Sequence, residues 1–378
     1  MTDDDQEPIP KRVTLRDVAQ ATGVSHTTVS NAFARPDQLS AALRERVFAT
    51  ARALGYAGPD PAARSLRTGR HGAIGLAFSE DLPYAFSDPT AIGFLQGVAE
   101  ACRELRTNLL LIAARTRAEG DDPAGPDGVS AVRDAAVDGF VLYSLAHDSP
   151  VVASVLARGL PHVVVDQPRL PGVPFVGIDD EGAARRAAEH LLAFGHRRFA
   201  ILSLKLVPDG FNGVASPDRV TTATYDVPAS RLAGYRAALA RGGVDPAAVP
   251  VLECALNDER RARELLQPLL LEVGRRPTAI LAMSDRLALG ALAAARETGL
   301  TVPGDLSVVG FDDTAGDGLE GSFLTTVRQP HAEKGRLALQ MLAVPNGARE
   351  RMLPAELVVR ASSAQVAAPP SAGGTRRG

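Results

Sequence analysis

Tryptophan is missing from the 378 residues, cysteine occurs twice, and aromatic residues make up only 4% of the chain. Cys102 and Cys254 stand far apart in no ligand-like spacing. That argues against a disulfide framework and against a zinc site, and for a reducing compartment. No apolar run of membrane-spanning length escapes charge or proline, so no membrane segment is expected. The opening residues MTDDDQEPIPKR are acidic, then basic, without the apolar stretch of an export signal; a cytoplasmic protein is expected. Enzyme signatures are also missing. There is no G-x-G-x-x-G behind a strand, no P-loop, no G-x-S-x-G and no cluster of His and Cys, and the seven histidines are scattered. Neither catalysis, nor a cofactor, nor a bound metal is expected, although an enzyme or a solute-binding protein on the same α/β fold stands as the alternative.

What is present is uneven charge and abundant apolar residues, in a chain long enough for two or three domains. The net charge is −3. Residues 1–10 carry −4, residues 11–70 carry +6, and the remainder carries −5. A basic module on an acidic body suits contact with a polyanion through the module alone; a merely solvated charged face fits the charge equally well.

Residues 13–57 read as three short helices. Thr14 begins the first, with Asp17 in capping-box spacing. Gly23 supplies a turn, Ser25 caps the second helix and Ser40 the third. Val18 and Ala19, then Val29, Ala32 and Phe33, then Leu43, Val47, Ala51 and Leu54 recur at helical spacing and are expected to face inward. The stretch VTLRDVAQATGVSHTTVSNAF has the layout of a helix-turn-helix, with Ser25, His26, Thr27, Thr28, Ser30 and Asn31 as short hydrogen-bonding groups for base edges and phosphates. Taken alone, a helical hairpin with capping hydroxyls is the lesser reading of it. PDPAARSLRTG (59–69) then reads as a very short helix with Leu66 bare between Arg64 and Arg67. From residue 72, short apolar runs such as AIGLAF, FVGID, TAILAM and LSVVGFD alternate with amphipathic segments, which predicts parallel sheets with helices on both faces. Roughly 290 residues of this pattern exceed one core, so two subdomains are expected.

The motifs T-x-x-D-V-A, G-V-S-x-x-T-V-S, R-E-R-V, L-G-Y and A-R-S-L-R-T-G, in that order, resemble the headpiece of the lac repressor/gal repressor family of transcription regulators. GHRRFAIL, RLAGYRAAL, PTAILAMSDRLALGAL, VPGDLSVVGFDD and TTVRQP resemble that family's ligand-binding core. The resemblance implies a multi-domain chain: an all-α helix-turn-helix headpiece with a hinge helix, then an α/β periplasmic-binding-protein-like core of two doubly wound parallel-sheet subdomains. The expected division is a disordered tail at 1–12, the headpiece at 13–57, the hinge helix at 58–70, a first core subdomain from 71–174 with 305–328, a second from 175–304 with 329–363, and a disordered tail at 364–378. It further implies a homodimer on a palindromic operator in double-stranded DNA, acting as a repressor. By the same resemblance His26 and Thr27 read bases, while Ser25, Thr28 and Ser30 serve as phosphate contacts or caps. Thr14, Gln38 and Tyr56 join the DNA contacts. Leu66 wedges between base pairs with Arg64 and Arg67 beside it. Asn31 and Ala34 depart from the family's commoner Arg and Asn.

For the effector, a sugar by resemblance, polar residues at strand ends stand out: Ser79, Asp166, Arg231, Ser284, Asp285 and Asp312. Arg231 and Asp312 match positions that commonly bind effector in the family. Asp285 reads equally as a helix N-cap, and Asp166 equally as a loop or interface residue. Leu256 stands where the family often has an aromatic residue; Phe311, Tyr225 or Phe86 are possible replacements. The segment 204–229 is longer than usual and reads as a lid or a source of further contacts.

Overall fold

The computed structural model describes residues 13–59, 65, 68–80, 82–113, 127–314, 323–344 and 349–366. Two compact units meet in sequence at His71 and Gly72. The first contains α1 (Leu15–Thr22), α2 (His26–Ala34) and α3 (Ala41–Ala53). Each begins where a side chain satisfies an orphan amide. Thr14 accepts from the Asp17 amide while its own amide donates to Asp17 at 2.8 Å, which is the reciprocal capping box. Ser25 and Ser40 accept from the amides of Thr28 and Leu43. Gly23, at φ +70°, makes the turn between α1 and α2. Val18, Ala19, Val29, Ala32, Val47 and Ala51 form the core, and Phe33 meets Phe48 and Tyr56 edge-on. Leu54, expected to point inward, is 38% exposed because it follows the last turn of α3 as its C-cap.

The second unit holds two sheets. The first comprises β1 (Ala73–Phe78), β2 (Asn108–Ala113), β3 (Phe140–Tyr143), β4 (His162–Val165), β5 (Phe175–Ile178) and β12 (Glu350–Leu353), in the order β12-β5-β4-β3-β1-β2, all parallel. The second comprises β6 (Phe199–Ser203), β7 (Gly213–Val214), β8 (Val251–Glu253), β9 (Ala279–Ala282), β10 (Ser307–Asp312), β11 (Thr325–Arg328) and β13 (Glu356–Val358). Its order is β13-β11-β10-β9-β6-β8-β7, with only the two edge strands antiparallel. The inner strands β3, β6, β9 and β10 are buried along their whole length, as sheets covered on both faces require.

Among the described residues, α4 (Leu82–Ala85), α5 (Pro89–Leu105), α6 (Gly128–Asp134), α7 (Pro150–Ala157) and α13 (His331–Ala343) accompany the first sheet. The second sheet carries α8 (Asp180–Ala193), the short α9 (Pro217–Thr221), α10 (Asp226–Arg241), α11 (Glu259–Leu271) and α12 (Asp285–Glu297).

This arrangement corrects the expected subdomain boundaries. Strands β10 and β11, inside 305–328, belong to the second sheet, whereas α13 and β12, inside 329–363, belong to the first; β5 likewise lies in the first. Alternating strands and helices reveal order along the chain but not which sheet a strand joins. The chain therefore passes between sheets three times: after β5, at Gln329–Pro330 after β11, and at Pro354–Ala355 between β12 and β13. The helix that carries the RLAGY motif begins at Asp226, with Pro228 in its first turn, where a missing amide costs nothing. The expected tail begins too early as well. The Ala364 amide donates to Ser307 Oγ and the Val366 amide to the Phe194 carbonyl, so residues 364–366 are anchored.

Helices α5 and α13 approach with almost no side chain between them. A Cβ on Gly335 would lie 2.3 Å from the Phe94 carbonyl oxygen, and one on Gly97 would overlap the Ala332 carbonyl. Gly335→Ala is therefore expected to destabilise the protein by about 1–3 kcal/mol, because backbone rather than a flexible side chain would have to move. Thermal melting followed by circular dichroism checks this; an unchanged midpoint would show that the two helices separate without cost.

Candidate functional site

Between the carboxyl ends of the two sheets lies a cavity of about 130 Å³, lined from both subdomains. A cavity of about 150 Å³ accepts benzene, so this one has room for a small ring-sized molecule. Of the six effector residues expected from sequence, Ser79, Asp166, Arg231, Ser284 and Asp312 line it. Asp285 does not. Its oxygens accept from the Thr326 hydroxyl at 2.5 Å and the Thr314 amide at 2.7 Å, so it ties α12 to neighbouring segments. Tyr225 lines the cavity, but Leu256 is 51% exposed and Phe86 59% exposed, and neither contributes. Phe311 acts one layer back: the Arg231 guanidinium lies 3.5 Å from its ring centre.

Arg231 is 4% exposed on α10. Its Nε donates to Asp180 at 2.8 Å and its Nη1 to the Met283 carbonyl, which fixes the plane of the guanidinium at the cavity wall. Burial pushes the Asp180 carboxyl up, and the guanidinium opposes that shift. Asp312 closes the other side. Burial holds its carboxyl well above the usual range, Arg231 pulls it down, and the charges of Asp285 and Asp88 push it further up. Gln329 Nε2 donates to Asp312 Oδ1 at 2.5 Å, and the Thr90 hydroxyl, from the other subdomain, donates to Oδ2 at 3.4 Å.

A buried lysine organises this corner. Lys334, 1% exposed on α13, donates to Asp166 Oδ1 and to Gln329 Oε1, each at 2.5 Å. Because Gln329 accepts from lysine through its oxygen, its nitrogen is left facing Asp312. Sequence reasoning missed Lys334 and Gln329, and also Glu80, Asp88, Thr90, Asn257 and Lys205; a lysine at helical spacing carries no signal that it points inward. Backbone strain collects here too. Ser144 (φ +59°), Asp166 (φ +63°) and Asp312 (φ +114°) line the cavity in the left-handed region, a conformation side chains tolerate only where surrounding structure imposes it.

In the first unit, the expected DNA-reading residues fall into three groups. Thr14, Ser25, His26, Thr27 and Gln38 are exposed, with Thr14 and Ser25 engaged as caps. Thr28, Ser30, Asn31 and Tyr56 are half-buried. Arg64, Leu66 and Arg67 lie outside the described residues; near them the Gly69 amide donates to the Ser65 carbonyl at 2.7 Å. Among the described residues no group of His, Cys, Asp and Glu could hold a metal ion, and no helix is long and apolar enough to cross a membrane.

A three-helix headpiece with a helix-turn-helix, followed in the chain by two mostly parallel sheets with a cavity between them, defines a DNA-binding regulator. Residues 14–58 match the model of bacterial regulatory proteins of the lacI family, and residues 188–363 match that of the periplasmic binding protein-like domain. An HTH-type transcriptional regulator of Mycolicibacterium smegmatis is 44% identical over 89% of this chain and 92% of its own length. Among solved structures, a complex of the regulator CelR with cellobiose (28% identical) covers 93% of this chain and all of its own, with a TM-score of 0.66. The lac repressor dimer bound to operator and an anti-inducer (25% identical) covers 94% and 100%, with a TM-score of 0.72. The chain belongs to the lacI family of bacterial transcriptional regulators and is a DNA-binding regulator of transcription.

One titration can be isolated from the rest. His331, buried where α13 begins beside Lys334, is pushed down to about 3 by burial and by the charges of Lys334 and Arg231. Unfolded, it would bind a proton near pH 6.5. The unfolded chain therefore binds more protons between those values, and stability falls as the pH drops through that window. Asp88, Asp180 and Asp312, raised by burial, work in the opposite sense. Comparing variant with parent cancels them: the melting point of His331→Met relative to the parent is expected to rise steadily from pH 7 to pH 4. A constant difference would mean that His331 takes up its proton in the folded state as readily as in the unfolded chain.

Proposed function

We propose that this regulator is a repressor that reads a palindromic operator as a homodimer and responds to a sugar-class effector held between its two sheets. The observation that supports the effector reading most directly is the cavity itself. Its lining mixes apolar surface with polar groups from both subdomains, among them the carboxylates of Asp312 and Asp166 and the donors of Arg231 and Lys205. Neutral hydroxyl groups both donate and accept, and so satisfy such a mixed wall. The relative solved with cellobiose lends this reading weight. Occupancy would bias the closure of the two subdomains and so alter DNA affinity. We assign no catalysis to the cavity, and a solute-binding or enzymatic role is the lesser reading because the chain carries a DNA-reading headpiece.

His26 and Thr27, exposed at the start of α2, are the proposed base readers; Ser25, Thr28, Ser30 and Asn31 are the proposed phosphate and edge contacts around them. Leu66, between Arg64 and Arg67, is the proposed minor-groove wedge.

Selection of bound sites from random duplex DNA by the purified protein tests the DNA reading. A two-fold symmetric site with a kinkable central step is expected; enrichment of no site, with or without added sugars, would overturn it. On the selected site, His26→Ala is expected to cost about 1–3 kcal/mol and to relax preference at one position in each half-site. Leu66→Ala should weaken the selected site strongly while leaving binding to random DNA near the parent's, since the basic residues carry that term. Fluorescence anisotropy separates the two, and an equal loss on both DNAs would remove the wedge.

A further inference from the structure

The long segment after β6 is folded around one arginine. Glu253 ends β8 with no exposure. It accepts from Arg219 Nε at 2.5 Å and Nη2 at 2.9 Å, and from the Leu206 amide at 2.8 Å. The same guanidinium grips Asp209 through two bonds of 2.7 Å and lies 4.3 Å from the Phe211 ring centre. Both ends of the segment are thereby held against the second sheet, and they deliver Leu204, Lys205 and Tyr225 to the cavity wall.

Lys205 brings a cation to that wall, and its charge is already matched. Its ammonium pairs with Glu80 of the first subdomain and lies 5.2 Å from the Tyr225 ring centre. Burial alone would lower the Lys205 ammonium, but Glu80 and Tyr225 outweigh it and hold it above the ordinary lysine value. The other lining cation, Arg231, is matched by Asp180, and behind the wall Lys334 is matched by Asp166. Asp88 and Asp312 add further carboxyls to the lining. Among the described residues both lining cations are thus paired, while Arg286, 5.7 Å from the Tyr84 ring centre, does not line the cavity; an anionic ligand would have to break an ion pair in a partly desolvated site.

We propose that the cavity takes an uncharged polyhydroxylated ligand and rejects its phosphate esters, and that Glu80 determines this specificity by occupying Lys205. The proposal rests on the sugar-effector reading. Glu80 acts from outside the Arg231–Asp312 pair, so its removal leaves that pair intact.

Full-length protein is titrated by calorimetry and thermal shift with matched pairs: glucose and glucose 6-phosphate, ribose and ribose 5-phosphate, a cyclic hexitol and its monophosphate, and inorganic phosphate alone. The expected result is binding of one neutral member, with its phosphate ester at least about a hundredfold weaker and no response to inorganic phosphate. In Glu80→Gln the freed Lys205 should narrow that gap by about tenfold. Equal or tighter binding of an ester by the parent protein overturns the proposal while leaving a sugar effector in place. An unchanged gap in a folded Glu80→Gln protein removes Glu80 from the role. Failure of every probe sinks the sugar reading and this inference with it. Should Glu80→Gln not fold, the selectivity of the parent protein alone decides.

Discussion

A charge taken out of water must bring its counter-charge with it, and the core of this protein is arranged around that requirement. Arg231 and Lys334 are buried and Arg219 is half-buried, and each is held by a carboxylate in geometry that satisfies several donors at once. Leaving any one partner alone would cost several kcal/mol, far more than an intact pair contributes. The pairs are therefore weak as sources of stability and strong as fixers of position. Asp180 sets the guanidinium plane of Arg231, and Lys334 sets which way the Gln329 amide faces.

Those fixed positions matter because of where they sit. Gln329 occupies one of the three places where the chain passes between the sheets, and it binds Asp312 of the second subdomain and Lys334 of the first. Other bonds also join the halves. The His147 amide donates to the Thr224 carbonyl, the Val227 amide to Gln167 Oε1, and the Arg169 amide to Asp226. The cavity is closed by contacts that belong to the hinge itself, so a change in its contents reaches the connections between subdomains through one or two hydrogen bonds.

Local signals in the sequence were the most legible. The caps at Thr14, Ser25 and Ser40 need only residues three apart, and all three form as expected. The alternation of apolar runs and helices was equally plain, because it reflects burial of each strand on both faces. Membership in the first or second sheet was not, since pairing of β12 with β5 joins residues more than 170 positions apart and nothing local encodes it. In the cavity, residues at strand ends were legible because topology puts strand ends there. Asp285 misled, since the same position serves as the first residue of a helix. Lys334 and Lys205 were invisible because their burial depends on partners brought by distant segments.

The three passages between sheets bear on how the chain is made. The first sheet spans residues 73–178 but lacks the helix at 331–343 and the strand at 350–353, while the second lacks its edge strand until residue 358. As the chain leaves the ribosome, apolar surface on the face of the first sheet that α13 covers must wait, uncovered, through the synthesis of some 150 further residues. Neither half is complete until residues 331–358 have been made. Closure of both halves thus waits for that one stretch, and the interval before it is when chaperones and aggregation compete for the uncovered surface.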